Sequence, residues 1–419
     1  YNANKHYQKY VSLFMFIGSF LSFFIMPLLI KELNVNIFYA TLLFVSFCFP
    51  YILNQLFNAK LVLIKSMQKE YIFNCYYQTL TFVRIIISIF IIPFFNFTTF
   101  VIIDSLLSTI TYLIAYKKLD KYIKEYVNIT DKKDIKPIKT TKYVLLHRIS
   151  TLVSYNTDNI VLSSFVSLAS VSIYNAYMYI VTALERIIGN TIMAPVSSFG
   201  NMFAKKEKYS YAIFKQFFYG SMFVNTIVCV ALLFGAVDFV NIWMSGSDVS
   251  YEVTFITSLS FVLILYYRIS RRPLLLVLES QNLFKETSLG AMLEAAVNVV
   301  VSILLVKPYG MVGVLIGTIV SLYFVDFAFK SYYGIKYGLK QKVSDYIIMS
   351  LISTIIFILN ATTIYFIQFA PAVSLISLFL KMIIVCVVCF VITFSIYYLC
   401  FDSFREVIKL GIGIIKRRK

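Results

Sequence analysis

The stretch KMIIVCVVCFVITF, residues 381–394, carries no charged side chain after its first residue, Lys381. It belongs to an apolar run over residues 378–401, and about 20 apolar residues are enough to cross a bilayer as a helix. Of all 419 residues, 60% are hydrophobic and 14% are charged, whereas roughly 25% are charged in soluble proteins. The sequence therefore predicts an all-α integral membrane protein.

Hydrophobic windows predict about 12 transmembrane helices in this chain. They cover residues 11–30, 36–59, 71–93, 97–116, 147–168, 171–198, 212–234, 253–278, 287–306, 310–329, 346–368 and 378–401. Of the 38 Lys and Arg residues, 33 lie in one set of alternate loops, 3 in the other set and 2 within spans. By the positive-inside rule, both termini and the long basic loop 117–143 are predicted to be cytoplasmic. Because the net charge of +18 is divided among short clusters between spans, it does not indicate nucleic-acid binding.

An internal repeat relates the two halves of the chain. A shift of 213 residues places the first four predicted spans on the seventh to tenth, and IKSMQKEYIFN (64–74) on VLESQNLFKET (277–287). The fifth and sixth spans would then have partners before residue 1, which predicts that about 70 residues with two further helices precede this chain in an intact protein of 14 spans.

The repeat predicts five segments. They are an N-terminal lobe without its first two helices (1–116), a basic cytoplasmic linker (117–143), a C-terminal lobe of six spans (144–330), an extra pair of spans (331–401) and a basic cytoplasmic tail (402–419).

Two stretches resemble a known family. NTDNIVLSSFVSLASVSIYNAYMYI (156–180) and LLVLESQNLFKETSLGAMLEAAVNVVVSILLVKPYGMVGVLIGTIVS (275–321) are similar to segments of the bacterial polysaccharide-repeat-unit flippases, which belong to the multidrug/oligosaccharidyl-lipid/polysaccharide exporter superfamily. The resemblance implies two pseudo-repeated helical lobes in a V around a central hydrophilic cavity. It also implies a polyprenyl-diphosphate-linked oligosaccharide as substrate and the bacterial cytoplasmic membrane as location. In that family the cavity is lined by a first pair of helices, which we expect to precede this chain.

Ionisable residues inside predicted spans are the candidate site residues, because a charge at bilayer depth normally faces a water-filled cavity or pairs with another charge. In span 147–168, Asp158 shares a helical stripe with Arg148, Thr151 and Tyr155. The predicted substrate-binding or cavity residues are Arg186, Asp158, Asn156, Asn159, Tyr155, Glu185, Thr182, Asn190 and Arg84.

Arg186 is the predicted head-group contact, because a guanidinium binds a phosphate through two parallel hydrogen bonds. The alternative is a structural ion pair of Arg186 with Asp158 or Glu185. Arg84 and Asp104 lie at equal depth on adjacent spans and are predicted to form a structural pair, with a cavity role as the alternative.

Three carboxylates are candidates for coupling to H⁺ or Na⁺, namely Asp158, Glu185 and Glu294. Glu294 and Asn298 lie one turn apart and form either a cation site or an interhelical hydrogen-bonding patch. Gly313 and Gly317 form a GxxxG pattern that predicts close helix packing.

The sequence favours a flippase that moves a lipid-linked oligosaccharide by alternating access for cell-surface polysaccharide synthesis, such as O-antigen or capsule. The alternative is a drug/cation antiporter of the same architecture, and the third hypothesis is a membrane polysaccharide polymerase or glycosyltransferase. No catalytic constellation, phosphate-binding G-x-x-x-x-G-K-[ST] loop, metal site or cofactor motif is evident. The predicted partners are the substrate, membrane lipids, a coupling ion and other polysaccharide-assembly proteins.

Overall fold

The computed structural model describes residues 16–17, 36–66, 69–123, 138–194, 200, 202, 210–247, 250–251 and 253–417. Within these residues the regular structure is helical and contains no strand, which confirms the all-α fold. The chain divides into two compact units, Tyr1–Lys139 and Thr140–Lys419. The division falls inside the basic linker expected at 117–143.

The described part of the first unit contains three long helices and two short ones between residues 37 and 123. They are α1 (Ile37–Leu56), α2 (Ala59–Ser66), α3 (Glu70–Ile91), α4 (Phe97–Lys118) and α5 (Asp120–Ile123). Helix α4 packs against both α1 and α3. It begins after Asn96, whose side chain accepts a hydrogen bond from the amide of Thr99 at 2.9 Å. The Tyr112 hydroxyl donates to the carbonyl oxygens of Asn54 and Phe57, which ties α4 to the end of α1.

The second unit is built around a long central helix. Its helices are α6 (Ile138–Phe165), α7 (Leu168–Met193), α8 (Ser210–Trp243), α9 (Phe255–Ser270), α10 (Arg272–Ser280), α11 (Phe284–Val320), α12 (Phe327–Ser331), α13 (Val343–Ile367), α14 (Leu375–Cys400) and α15 (Asp402–Arg417). Helix α8 packs against α7, α9, α13, α14 and α15. Two π-helical segments, Ser321–Asp326 and Tyr332–Gly338, flank α12.

Helix α11 reverses direction at Gly310, which has φ 56° and ψ −132°. An L-residue with a side chain rarely adopts this φ, so glycine permits the reversal. Two hydrogen bonds join the arms on either side of it. Asn298 Nδ2 donates to Thr318 Oγ1 at 2.9 Å, and Ser302 Oγ donates to the Val314 carbonyl at 3.3 Å. Residues 284–309 and 311–338 therefore form a hairpin, as the separate predicted spans 287–306 and 310–329 require.

The GxxxG glycines lie where the two arms of this hairpin touch. A Cβ at Gly313 would collide with the Leu305 carbonyl, and a Cβ at Gly317 would collide with the backbone and hydroxyl of Ser302. The close packing predicted from the pattern is confirmed.

Six helices among the described residues are long and apolar enough to cross a membrane. They are Glu70–Phe94, Phe97–Ile123, Ser210–Trp243, Phe284–Gly338, Val343–Ile367 and Leu375–Cys400, and the fourth contains the hairpin. Helices cover every predicted span except 11–30, of which the structure describes only residues 16–17. Helices α6 and α7 are long enough but carry many polar residues. The chain is a multi-pass membrane protein.

Candidate functional site

A cavity of about 270 Å³ lies inside the second unit, among α6, α9, α10 and the two arms of the α11 hairpin. Its polar wall includes His147, Thr151, Ser154 and Tyr155. The charged residues that line it are Arg148, Arg268, Arg271, Glu279, Glu294, Asp326 and Lys330.

Three arginines reach the site from one short segment, RISRRP (268–273). Arg268 lies in the last turn of α9, where the negative end of the helix dipole favours a cation. Arg271 lies between α9 and α10, and Arg272 is the first residue of α10. Pro273, which lacks an amide hydrogen, occupies the first turn of α10, where that hydrogen has no partner in the helix.

Glu185 on α7 binds two of these arginines. Its Oε1 accepts from Arg272 Nη2 at 2.6 Å, and its Oε2 lies 3.4 Å from Arg268 Nη1. The Arg268 guanidinium also lies over the Tyr155 ring, 4.0 Å from the ring centroid. Gly189, one turn after Glu185, leaves room for the Arg272 guanidinium, which a Cβ there would meet at 2.9 Å.

Asp326 holds a second pair of cations. Its Oδ2 accepts from Arg271 Nη1 at 2.9 Å and from the Tyr267 hydroxyl at 3.0 Å, and its Oδ1 lies 2.5 Å from Lys330 Nζ. Only 3% of Asp326 is exposed. The π-helical segment Ser321–Asp326 ends at this carboxylate, and such segments occur often at functional sites.

Each of the two carboxylates is thus shared by two cations. We name the six residues Glu185, Asp326, Arg268, Arg271, Arg272 and Lys330 the ion-pair cluster. Four positive charges surround two negative charges in it. The Nε atoms of all three arginines are buried and have no hydrogen-bond partner among the described residues. Arg148, at the rim of the cavity, forms no ion pair within the described part of the chain. The cluster therefore carries unused capacity to bind an anion.

A second polar network lies beside the cavity, around Asp158. The Tyr174 hydroxyl donates to Asp158 Oδ2 at 2.7 Å, and Thr318 Oγ1 donates to the same oxygen at 3.1 Å. Asp158 is 1% exposed, and among the described residues no cation lies within ion-pair distance of it. Its Oδ1 and the Oδ1 of Asn298 are both buried, and neither has a hydrogen-bond partner in the part of the chain that the structure describes. Two oxygen acceptors thus lack a donor in one network.

Glu294 is a further buried carboxylate on the cavity wall. Its Oε2 accepts a hydrogen bond from Ser154 Oγ at 3.1 Å. No ion pair to Glu294 occurs among the residues that the structure describes. Among those residues there is also no group of three or more His, Cys, Asp or Glu side chains arranged to hold a metal ion.

The structure brings four of the sequence-predicted residues to or beside the cavity. Tyr155 and Glu294 line it. Glu185 does not line it but binds Arg268 and Arg272. Asp158 contacts the cavity through Thr318.

The other predicted residues of α6 and α7 do not line the cavity. Arg186 and Asn190 are exposed on α7 and do not line the cavity. Asn156 is exposed and donates to the Leu152 carbonyl, while Asn159 is half-buried on the same helix. Thr182, also half-buried, donates to the Met178 carbonyl. Glu185 therefore pairs with Arg268 and Arg272, and the alternative pairing with Arg186 does not occur.

Arg84 and Asp104 form an ion pair in the first unit, with Arg84 Nη1 3.4 Å from Asp104 Oδ2. Ser88 Oγ donates to Asp104 Oδ1 at 2.8 Å.

The cations of the cluster and Asp326 are not among the site residues predicted from the sequence. The sequence pattern assigns the four cations to loops. Three of them, Arg268, Arg271 and Arg272, nevertheless lie within the predicted span 253–278. Asp326 lies inside the predicted span 310–329, so the rule that identified Asp158 also applies to it.

The fold and the site define a multi-pass α-helical membrane protein with a charged cavity buried in its second unit. The chain is similar to a solved structure titled "Lipid II flippase MurJ, inward closed conformation". The TM-score is 0.64 at 16% sequence identity, and the match covers 94% of this chain and 83% of the other. A likeness at this identity shows a shared fold. No protein-family model matches the chain, and a search of curated proteins finds no significant match.

Proposed function

We propose that the protein flips a polyprenyl-diphosphate-linked oligosaccharide across the bacterial cytoplasmic membrane for the synthesis of a cell-surface polysaccharide. The observation that carries this proposal is the ion-pair cluster, in which four cations share two carboxylates. Its three buried guanidinium Nε–H groups have no acceptor among the residues described. The similarity in fold to a structure titled as a lipid II flippase supports it.

The chemistry of the cluster fits a diphosphate. Each phosphate offers several oxygen acceptors, and a guanidinium binds two of them through parallel hydrogen bonds. Arg268 and Arg271 line the cavity, and they lie one helical turn apart with Arg272 beside them. Burial strengthens these contacts, because few water molecules compete for the donors. The sugar residues would lie against the polar wall, which Tyr155, Thr151 and Ser154 provide.

A coupling cation is proposed at the Asp158 network. An ionised carboxylate that is 1% exposed and has no cation beside it is costly in a medium of low dielectric constant. Binding of H⁺ or Na⁺ removes that cost. Asp158 Oδ1, Asn298 Oδ1 and Thr318 Oγ1 are the oxygens that would receive the cation. Glu294 is the second candidate for a coupling proton.

The alternative function is drug/cation antiport. The observation that favours it is the presence of two buried carboxylates, Asp158 and Glu294, without ion pairs in the described residues. An antiporter exchanges its cation at such groups, and it makes no use of a diphosphate-binding cluster. The two functions therefore differ in what they predict when an arginine of the cluster is removed. A flippase should lose lipid export, whereas an antiporter should keep its drug/cation exchange.

The test uses cells in which the native gene can be switched off. Lipid-linked oligosaccharides are quantified, and their sidedness is measured with a glycan-modifying enzyme added from outside. We expect precursors to accumulate on the inner leaflet and the native gene to restore their export. Arg271→Ala should fail to restore it, because this residue lines the cavity and binds Asp326.

Arg186→Ala tests the head-group contact predicted from the sequence, and Arg405→Ala is the matched control. Arg405 lies on α15, where it binds the Asp402 side chain and the Tyr398 carbonyl oxygen, far along the chain from the cavity segments. It should behave as the native protein. If depletion leaves the amount and sidedness of the precursors unchanged, the flippase proposal fails and drug/cation exchange is measured next.

A further inference from the structure

We propose that Glu185 and Asp326 act as internal competitors of the substrate diphosphate, occupying its guanidinium donors while the cavity is empty of head group. This proposal rests on the proposed function, and it gives the two carboxylates of the cluster a role of their own. The two carboxylates would set the affinity for the head group and return to their arginines when it leaves.

The placement of the donors is the first step of the argument. All three arginines belong to residues 268–272, whereas the two carboxylates come from different elements, Glu185 from α7 and Asp326 from the second arm of the hairpin. Arg268 and Arg272 point to Glu185, and Arg271 points to Asp326. One short segment thus lies between two anionic partners and presents its guanidinium groups to both.

The second step concerns the lengths of the contacts. Arg272 and Arg271 hold their carboxylates at 2.6 and 2.9 Å, but Arg268 Nη1 lies 3.4 Å from Glu185. The Tyr155 hydroxyl is also 3.4 to 3.5 Å from the Glu185 oxygens. Glu185 therefore forms a short contact with Arg272 and only a long, weak contact with Arg268. Arg268, which lines the cavity, is the donor most easily transferred to an incoming phosphate.

The cluster contains more positive than negative charges. Two carboxylates need only two cations for neutrality, and a buried ion pair is in itself weak evidence for stability. Four cations exceed that need, and a diphosphate brings the negative charge that balances them. A carboxylate and a phosphate present similar acceptor oxygens to a guanidinium, so they compete for the same donors. Removing one carboxylate should then leave the donors to the phosphate.

The experiment measures binding of inorganic diphosphate to the purified full chain in detergent by isothermal titration calorimetry. Glu185→Gln and Asp326→Asn keep the shape of each side chain and remove its charge. A hydrogen bond between charged groups contributes enough that each variant should bind diphosphate about tenfold more tightly than the native protein. A group with a merely structural role would weaken binding when it is replaced.

Two further variants keep the test decisive. Tyr155→Phe removes one weak donor to Glu185 without a change of charge. Glu185 then depends more on its arginines, so the affinity for diphosphate should fall about twofold. Tyr155→Phe tests the competition even if a carboxylate variant does not fold. Glu406→Gln is the control, because this exposed carboxylate on α15 binds Gln216 and does not line the cavity. Its affinity should equal that of the native protein.

Three results overturn the competition. If Glu185→Gln and Asp326→Asn bind diphosphate no more tightly than the native protein, and Tyr155→Phe binds it no more weakly, while Arg271→Ala abolishes binding, the diphosphate site stands and the competition is wrong. If the carboxylate variants bind more weakly, their role is to support the arginines. If neither the native protein nor any variant binds diphosphate, the head-group site of the proposed function fails together with the competition.

Discussion

Replacement of Gly317 by alanine should force apart the two arms of the α11 hairpin. A Cβ at this position would lie 2.7 Å from the backbone nitrogen of Ser302 and 3.0 Å from its Cα. Contacts of this kind ordinarily begin at 3.4 Å, so the arms must separate by 0.7 Å (3.4 − 2.7). Because the obstacle is backbone, no side-chain rotation relieves it.

This separation also breaks a buried hydrogen bond. The distance from Asn298 Nδ2 to Thr318 Oγ1, now 2.9 Å, would increase to about 3.6 Å, which is beyond hydrogen-bonding range. Overpacking costs about 1–3 kcal/mol and a lost hydrogen bond about 1 kcal/mol, while exchange of glycine for alanine in a helix returns about 1 kcal/mol. The free energy of unfolding should therefore fall by about 1–3 kcal/mol.

The assay is thermal unfolding of the purified protein in detergent, with Gly220→Ala as the matched control. Gly220 lies within α8, and a Cβ there would meet no atom within 4 Å. Gly220→Ala should leave Tm unchanged or raise it, whereas Gly317→Ala should lower Tm by several degrees. If the two variants have equal Tm values, the close approach of the two arms is not as described.

Three other substitutions give distinct expectations. Lys381→Met leaves the nearly buried Asp238 carboxylate without its cation at 2.8 Å, and it should lower the free energy of unfolding by about 3 kcal/mol in the same assay. Asp104→Asn weakens a longer and more exposed pair with Arg84, so a loss of about 1 kcal/mol is expected, and a loss as large as that of Lys381→Met would contradict this ranking. Asp158→Asn should abolish the dependence of lipid export on the coupling cation, measured in vesicles at varied Na⁺ and pH, and an unchanged dependence would place the cation elsewhere.

The helices of this protein could be predicted from its sequence because each apolar run is a local signal. The boundary between the two arms of α11 could also be predicted, because Pro308 and Gly310 interrupt an otherwise continuous apolar run. The ionisable residues of α6 and α7, Asp158 and Glu185, were identified because burial of a charge in an apolar span always requires a cause.

The partners of these residues could not be predicted. Glu185 binds Arg268 and Arg272, which follow it by 83 and 87 residues, and a single sequence contains no signal that joins such positions. Arg186 is the head-group contact that the sequence predicts, because it lies within a predicted span and a guanidinium binds a phosphate through two parallel hydrogen bonds. Helical geometry turns adjacent residues about 100° apart, and the structure places Glu185 inward and Arg186 on the surface.

The reversal at Gly310 also bears on how the protein enters the membrane. Each arm of the α11 hairpin carries polar side chains, Asn298 and Ser302 on one and Thr318 on the other, and each finds its partner across the hairpin. An arm inserted alone would expose these groups to lipid, which is unfavourable. The two arms should therefore enter the membrane together, as a pair.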